Sequence, residues 1–134
     1  MVFAALVAAC GSKTSASTAK ADFIAQADAI CTSYDDLASK ATKTFKHPSP
    51  RRQVAAIENR LVPLLRREST ELARLKPPAA DRATIARFLA DVNAATDAIL
   101  LDPESFVTAH GATPLARKAA SEAAAYGFAV CGRI

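Results

Sequence analysis

Apolar side chains recur at alternating steps of three and four residues through most of this chain, the period of an α-helix. From Asp22 to Lys46 the stripe runs Phe23, Ala27, Ile30, Tyr34, Leu37, Ala41 and Phe45, flanked by Ile24, Cys31 and Ala38. Asp22 suits the N-cap, and Lys40, Lys43 and Lys46 suit the negative end of the helix dipole. His47-Pro48-Ser49-Pro50 ends this helix and opens the next, with Ser49 as N-cap and Pro50 as first helical residue. From Pro50 to Leu75 the stripe is Val54, Ile57, Leu61, Leu64/Leu65, Leu72 and Leu75. Pro63 falls inside it, removes one backbone hydrogen bond and meets the carbonyl of Asn59, so a kink is expected there. Glu68 interrupts the stripe, and the expectation is a carboxylate that reaches out from the edge or pairs with an Arg, with a functional carboxylate as the alternative.

Pro77-Pro78 stops the second helix. A third is predicted over Asp81–Leu101, with Ile85, Phe88, Leu89, Val92, Ala95/Thr96 and Ile99 in register and Asp81 as N-cap. Asp102-Pro103-Glu104 opens a short helix to about Ala109, which His110-Gly111 breaks. Thr113-Pro114 repeats the cap for a final helix from Pro114 to about Val130. Its face is mostly small: Ala116, Ala119, Ala120, Ala123 and Ala124, with Leu115 and Tyr126. Small side chains let helices approach closely. No internal repeat and no strand-like alternation is present. Four main helices joined by short Pro-marked turns predict an all-α, up-and-down four-helix bundle over residues 22–134.

Composition agrees with that expectation. Roughly a quarter of the residues are Ala, the best helix former; there are four Gly and no Trp. The 134 residues are enough for one domain, and 51% hydrophobic against 22% charged is a globular balance. The net charge of +4 is unevenly spread. Ser49–Lys76 is basic and Ala79–Asp102 is net acidic, which reads as two solvated faces on neighbouring helices or as a basic face drawn to anionic envelope polymer or lipid. The basic residues are not interleaved with aromatics, which argues against nucleic acid as a partner.

The amino terminus has a different pattern. Met1–Ala9 is continuously apolar, then come Cys10-Gly11 and a polar run from Ser12 to Lys20. Leu6-Val7-Ala8-Ala9-Cys10-Gly11 resembles the lipobox of bacterial lipoproteins. That resemblance implies a signal peptide over residues 1–9, cleavage before Cys10 and a lipid on the Cys10 thiol, which anchors an extracytoplasmic protein to the cell membrane. Nine apolar residues are too few for a spanning helix, which needs ~20. No Lys or Arg precedes Cys10, so a few basic and apolar residues are expected upstream of Met1. Residues 10–21 are expected to form a flexible linker with a reach of about 15–20 Å.

Cys10, Cys31 and Cys131 are the three cysteines. With Cys10 lipidated, an even pair remains in an oxidising compartment, and a Cys31–Cys131 bridge is expected. It would close a loop of about 100 residues, worth ~4–5 kcal/mol in the chain-entropy account.

Three motifs, Ala21-Asp22-Phe23-Ile24-Ala25-Gln26-Ala27-Asp28-Ala29-Ile30-Cys31, Leu72-Ala73-Arg74-Leu75-Lys76-Pro77-Pro78 and Tyr126-Gly127-Phe128-Ala129-Val130-Cys131-Gly132, resemble small uncharacterised lipoproteins and secreted helical proteins of actinobacteria. The resemblance implies an early helical cysteine paired with a late one, and no activity. The chain lacks HExxH, GxSxG, P-loop, GxGxxG and CxxCH patterns. His47 and His110 stand in turns without the Glu-x-x-His spacing of a di-iron bundle. Asp35 and Asp36 point about 100° apart on a helix, so they form no dyad. These residues argue against an enzyme, and no metal or cofactor is expected. The expected role is non-catalytic binding or interaction with an envelope protein or polymer. The alternatives are a small-ligand carrier or sensor with a cavity at the Pro63 kink, and a cryptic hydrolase.

Overall fold

The computed structural model describes residues 12–43 and 49–133, and every regular element among them is helical. The expected signal segment, Cys10 and His47-Pro48 lie outside the described residues. The helices are α1 (Ser12–Thr42), α2 (Pro50–Ala56), α3 (Val62–Arg74), α4 (Arg82–Leu101), α5 (Pro103–Thr108) and α6 (Pro114–Tyr126). None is long and apolar enough to cross a membrane.

Side-chain ladders give the direction of each helix. Between α1 and α3, Tyr34 donates to Glu71, while Ala38 packs on Ile57 and Leu61. Between α3 and α4, Ser69 donates to Asn93 and Arg66 to Asp97. Between α4 and α6, Asp81 accepts from Tyr126 and Asp91 from Lys118. In every ladder the residue number rises on one helix as it falls on the other. The main helices therefore run up, down, up and down, the expected bundle.

The start of α1 corrects the expected linker. The helix is continuous from Ser12, so Ser12–Ala21 is helical and Asp22 lies inside α1 rather than at its cap. Neither Gly nor Pro occurs between Ser12 and Phe45. Extending an existing helix through such residues is far cheaper than starting one. Lys20 also ties this stretch to the domain, its ammonium lying 4.2 Å from the centre of the Tyr126 ring.

The interruption expected at Pro63 takes the form of a π-helical turn, Ile57–Leu61, which joins α2 to α3. Widening the turn ahead of the proline accommodates the missing donor without ending the helix. The caps divide. Asp102 accepts from the Ser105 backbone at 3.0 Å and Thr113 from Ala116 at 3.3 Å, as expected. Ser49 and Asp81 occupy cap positions without a side-chain cap bond. Asp81 instead takes the Tyr126 hydroxyl at 2.8 Å.

The final helix ends at Tyr126 rather than near Val130, because Gly127 adopts φ +113°, open to glycine at little cost. Phe128 N–H bonds to the Ala123 carbonyl and Gly127 N–H to that of Ala124, a Schellman cap. Residues 127–133 then form a strap that runs back along α6 and parallel to α1. Gly132 lets the strap lie flush: a Cβ there would stand 2.8 Å from Ala123 Cβ and 2.9 Å from the Ala120 carbonyl oxygen. The alanine face of α6 thus serves the strap as well as a neighbouring helix.

Asp28 of α1 fastens the strap. Its carboxylate accepts from the backbone N–H groups of Ala129 and Val130 at 2.9 Å and of Cys131 at 3.2 Å. Three residues further along α1, Cys31 is bonded to Cys131 with Cα atoms 5.1 Å apart, inside the ~7 Å that bridging requires.

Two apolar clusters form the core. One joins Phe23, Ala27, Cys31, Leu72, Ile85, Phe88, Ala123, Tyr126 and Phe128; the other joins Ile57, Leu61, Val62 and Ile99.

Candidate functional site

A cavity of about 270 Å3 lies between the two clusters. Leu72, Phe88 and Cys131 of the first cluster line it on one side, Leu61 and Ile99 of the second on the other. α4 contributes Val92, Ala95 and Thr96, and α6 contributes Ala116, Ala119 and Ala120. The strap closes one wall with Val130 to Arg133. A second hollow of about 380 Å3 adjoins it, sharing Asp35, Leu61, Phe106, Gly111 and Arg133. The first volume is near the lower end of the range for small-molecule sites.

The origin of the space is readable residue by residue. Small side chains at Ala95, Ala119 and Ala120 leave room that a Leu would fill. Leu61 closes the π turn and faces the cavity from there. Phe106 comes from α5, whose position is set by the Asp102 cap, and Gly111 follows at φ +83° where that helix breaks. The only buried hydroxyl on the α4 wall, Thr96, already donates to the Val92 carbonyl at 2.9 Å. The walls from α4 and α6 are therefore uncharged.

Charge enters from the other elements. Glu68 sits on α3 between Leu65 and Leu72, all three lining the cavity. Burial pushes its carboxyl up to about 7, and the charge of Asp35 adds to the shift. Asp35 of α1 is exposed at the rim, its carboxyl also raised by partial burial, with Arg133 opposing and Asp36 assisting. Arg133 reaches the rim from the strap, its Nε donating to the Ala129 carbonyl at 3.1 Å.

Glu68 is half-buried at the edge of the cavity; of the two expected arrangements, pairing with an arginine does not occur among the described residues, nor does a hydrogen bond. The described ion pairs lie elsewhere, Arg66 with Asp97, Arg87 with Glu122 and Lys118 with Asp91. They join α4 to α3 and to α6, so the acidic and basic stretches of sequence meet across helix boundaries. The Arg66–Asp97 pair, exposed on both sides, adds little stability. The Lys118 ammonium, 2.7 Å from Asp91, holds that carboxyl below its usual range.

Of the residues singled out in the sequence, Cys31 and Cys131 are brought together and Glu68 faces the cavity. His110 lines the adjoining hollow at φ +50°. Cys10 and His47 lie outside the described residues. Asp35 was set aside as half of an adjacent Asp-Asp pair; in the fold it lines the same cavity as Glu68 of another helix, and its charge helps to raise the Glu68 carboxyl. The signal for this was weak but present, a carboxylate on each of two amphipathic helices at the edge of the apolar stripe. No group of His, Cys, Asp and Glu suited to a metal ion occurs among the described residues. The chain matches no protein-family model, no curated protein and no solved structure.

Proposed function

We propose that this chain is a lipid-anchored extracytoplasmic binding protein whose bundle takes a small, largely apolar ligand without transforming it. The observation that carries the binding role is the cavity itself, a largely apolar space between α3, α4, α6 and the strap that opens at its rim, with the carboxylates of Glu68 on its wall and Asp35 at the rim. An apolar cavity of about 150 Å3 already holds a benzene ring, so 270 Å3 accommodates a short alkyl chain or a single ring. Anchoring rests on the lipobox-like Leu6–Gly11 pattern and on the parity of the cysteines: the Cys31–Cys131 bridge leaves Cys10 as the remaining one of the three.

Two measurements test the two halves. The purified chain is titrated with octanol by calorimetry, beside an Ala95→Leu variant whose added methyl groups fill the cavity. Binding by the native chain and its loss in the variant are expected; equal binding by both would place the alcohol elsewhere. For the anchor, intact mass of the membrane fraction is expected to show a diacylglyceryl adduct on Cys10 that Cys10→Ala abolishes. A soluble protein of unmodified mass would contradict it.

A further inference from the structure

We infer that the ligand is an amphiphile with a short alkyl body and a protonated amine at one end, the amine seated against Glu68. This rests on the proposal that the cavity binds a small molecule and goes on to name its class. The argument is one of charge. α4 and α6 present only uncharged side chains to the cavity. The charged groups that face it are Glu68 from α3, Asp35 from α1 and Arg133 from the strap, with His110 in the adjoining hollow. Asp35 and Arg133 are opposite charges at the rim, and the Arg133 Nε is already engaged with the Ala129 carbonyl. The three charges sum to one negative, and Glu68 is the one that stands between Leu65 and Leu72 on the cavity wall.

Glu68 is also the more enclosed of the two carboxylates, with leucines on either side of it along α3 and no hydrogen bond or ion pair among the described residues. An ionised carboxylate among apolar walls is costly until something pairs with it. A ligand ammonium would supply both a counter-charge and donors, and a charge-assisted bond of that kind is among the stronger ones. A carboxylate-headed ligand of the same length would meet Glu68 and Asp35 as like charges. A hydroxyl head group could donate one hydrogen bond to Glu68 but would bring no counter-charge.

The full chain carrying Cys10→Ala, with its disulfide formed, is titrated by calorimetry with octylamine, octanol and octanoate, each below its micellar range, at pH 6 and pH 8. At pH 8 octylamine is expected to bind at least about tenfold more tightly than octanol, and octanoate most weakly. Octylamine affinity should fall about tenfold from pH 8 to pH 6, as Glu68 takes up the proton that competes with the amine. In Glu68→Gln, octylamine should drop to the level of octanol and lose its pH dependence, with octanol binding retained. Equal binding of octylamine and octanol by the native chain overturns the inference and leaves the cavity proposal standing, as does undiminished octylamine binding by Glu68→Gln. Failure of all three compounds to bind overturns both.

Discussion

At one end of the bundle four aromatic rings, Phe23, Phe88, Tyr126 and Phe128, lie with centroids 5.0 to 6.1 Å apart in the neighbouring pairs. The strap that carries Phe128 is fixed there by the Asp28 carboxylate and by the Cys31–Cys131 bond. At the other end, four aliphatic side chains close over a π turn and a six-residue helix. α5 meets them through Phe106 and Val107 and is itself capped by Asp102, whose carboxyl is held below its usual range by the Ser105 hydroxyl and N–H. The contrast assigns high local stability to the aromatic end and low local stability to the aliphatic end. The cavity lies on the boundary, with one wall covalently held and the other formed by Leu61 and Phe106, which no cross-link restrains.

The largest effect should come from making the two ends alike. Reducing Cys31–Cys131 frees a loop of about 100 residues and should lower unfolding free energy by up to ~4–5 kcal/mol, less if the denatured state keeps structure. Denaturant unfolding with and without reductant measures this. Hydrogen exchange should show the amides of 129–131 losing protection toward that of α5. Unchanged stability on reduction would mean that Asp28 and the aromatic packing hold the strap by themselves.

A smaller effect sharpens the boundary. The Glu68 carboxyl rises from an ordinary 4.5 to about 7 in the fold. For a group whose folded value is raised, stability is fully present below the unfolded value and is lost as pH rises through the folded one. Ionising Glu68 should therefore cost the fold up to about 3 kcal/mol between pH 4.5 and pH 7. Melting temperature should decline across that window in the native chain and stay level in Glu68→Gln. A native chain that gains stability over the same range would place Glu68 in water rather than at the cavity wall.

The weakest effect is expected at Pro63. Removing the π turn would rotate α2 by about 100° relative to α3 and carry Ile57 and Leu61 out of their cluster. Packing should therefore keep the turn in Pro63→Ala, with a change in stability under ~1 kcal/mol. A rise approaching ~3 kcal/mol, the full cost of an interior proline, would show that the turn has no packing role.

Much of the scaffold was legible because it is local. Phe23, Ala27, Cys31 and Tyr34 are buried on the predicted face of α1, as are Ile85, Phe88, Thr96 and Ile99 on that of α4. Leu37 was expected on the same stripe and is 45% exposed; the stripe follows Ala38 instead where α1 meets the π turn. The strap was read as helix because Phe128 and Val130 continue the apolar period, and Gly127 was the one local sign against it. Its true path depends on Asp28, about a hundred residues away, and no periodicity reports such a contact. The cavity was legible only as an alternative placed at the Pro63 kink: Leu61 and Leu65 do line it, but its extent is space left where faces from several elements fail to meet. Glu68 could be seen as an interruption, while its nearness to Asp35 needed the pairing of α1 with α3.

Chemical-shift mapping of octanol bound to the isotopically labelled chain tests the central claim most directly, namely that the molecule has one rigid end, one yielding end and a binding space between them. The account predicts saturable shifts at Leu61, Leu65, Val92, Ala95, Ala120 and Phe106, with Phe23, Asp28 and Tyr126 unmoved. Shifts spread evenly over both clusters, or confined to surface residues remote from Glu68, would contradict it.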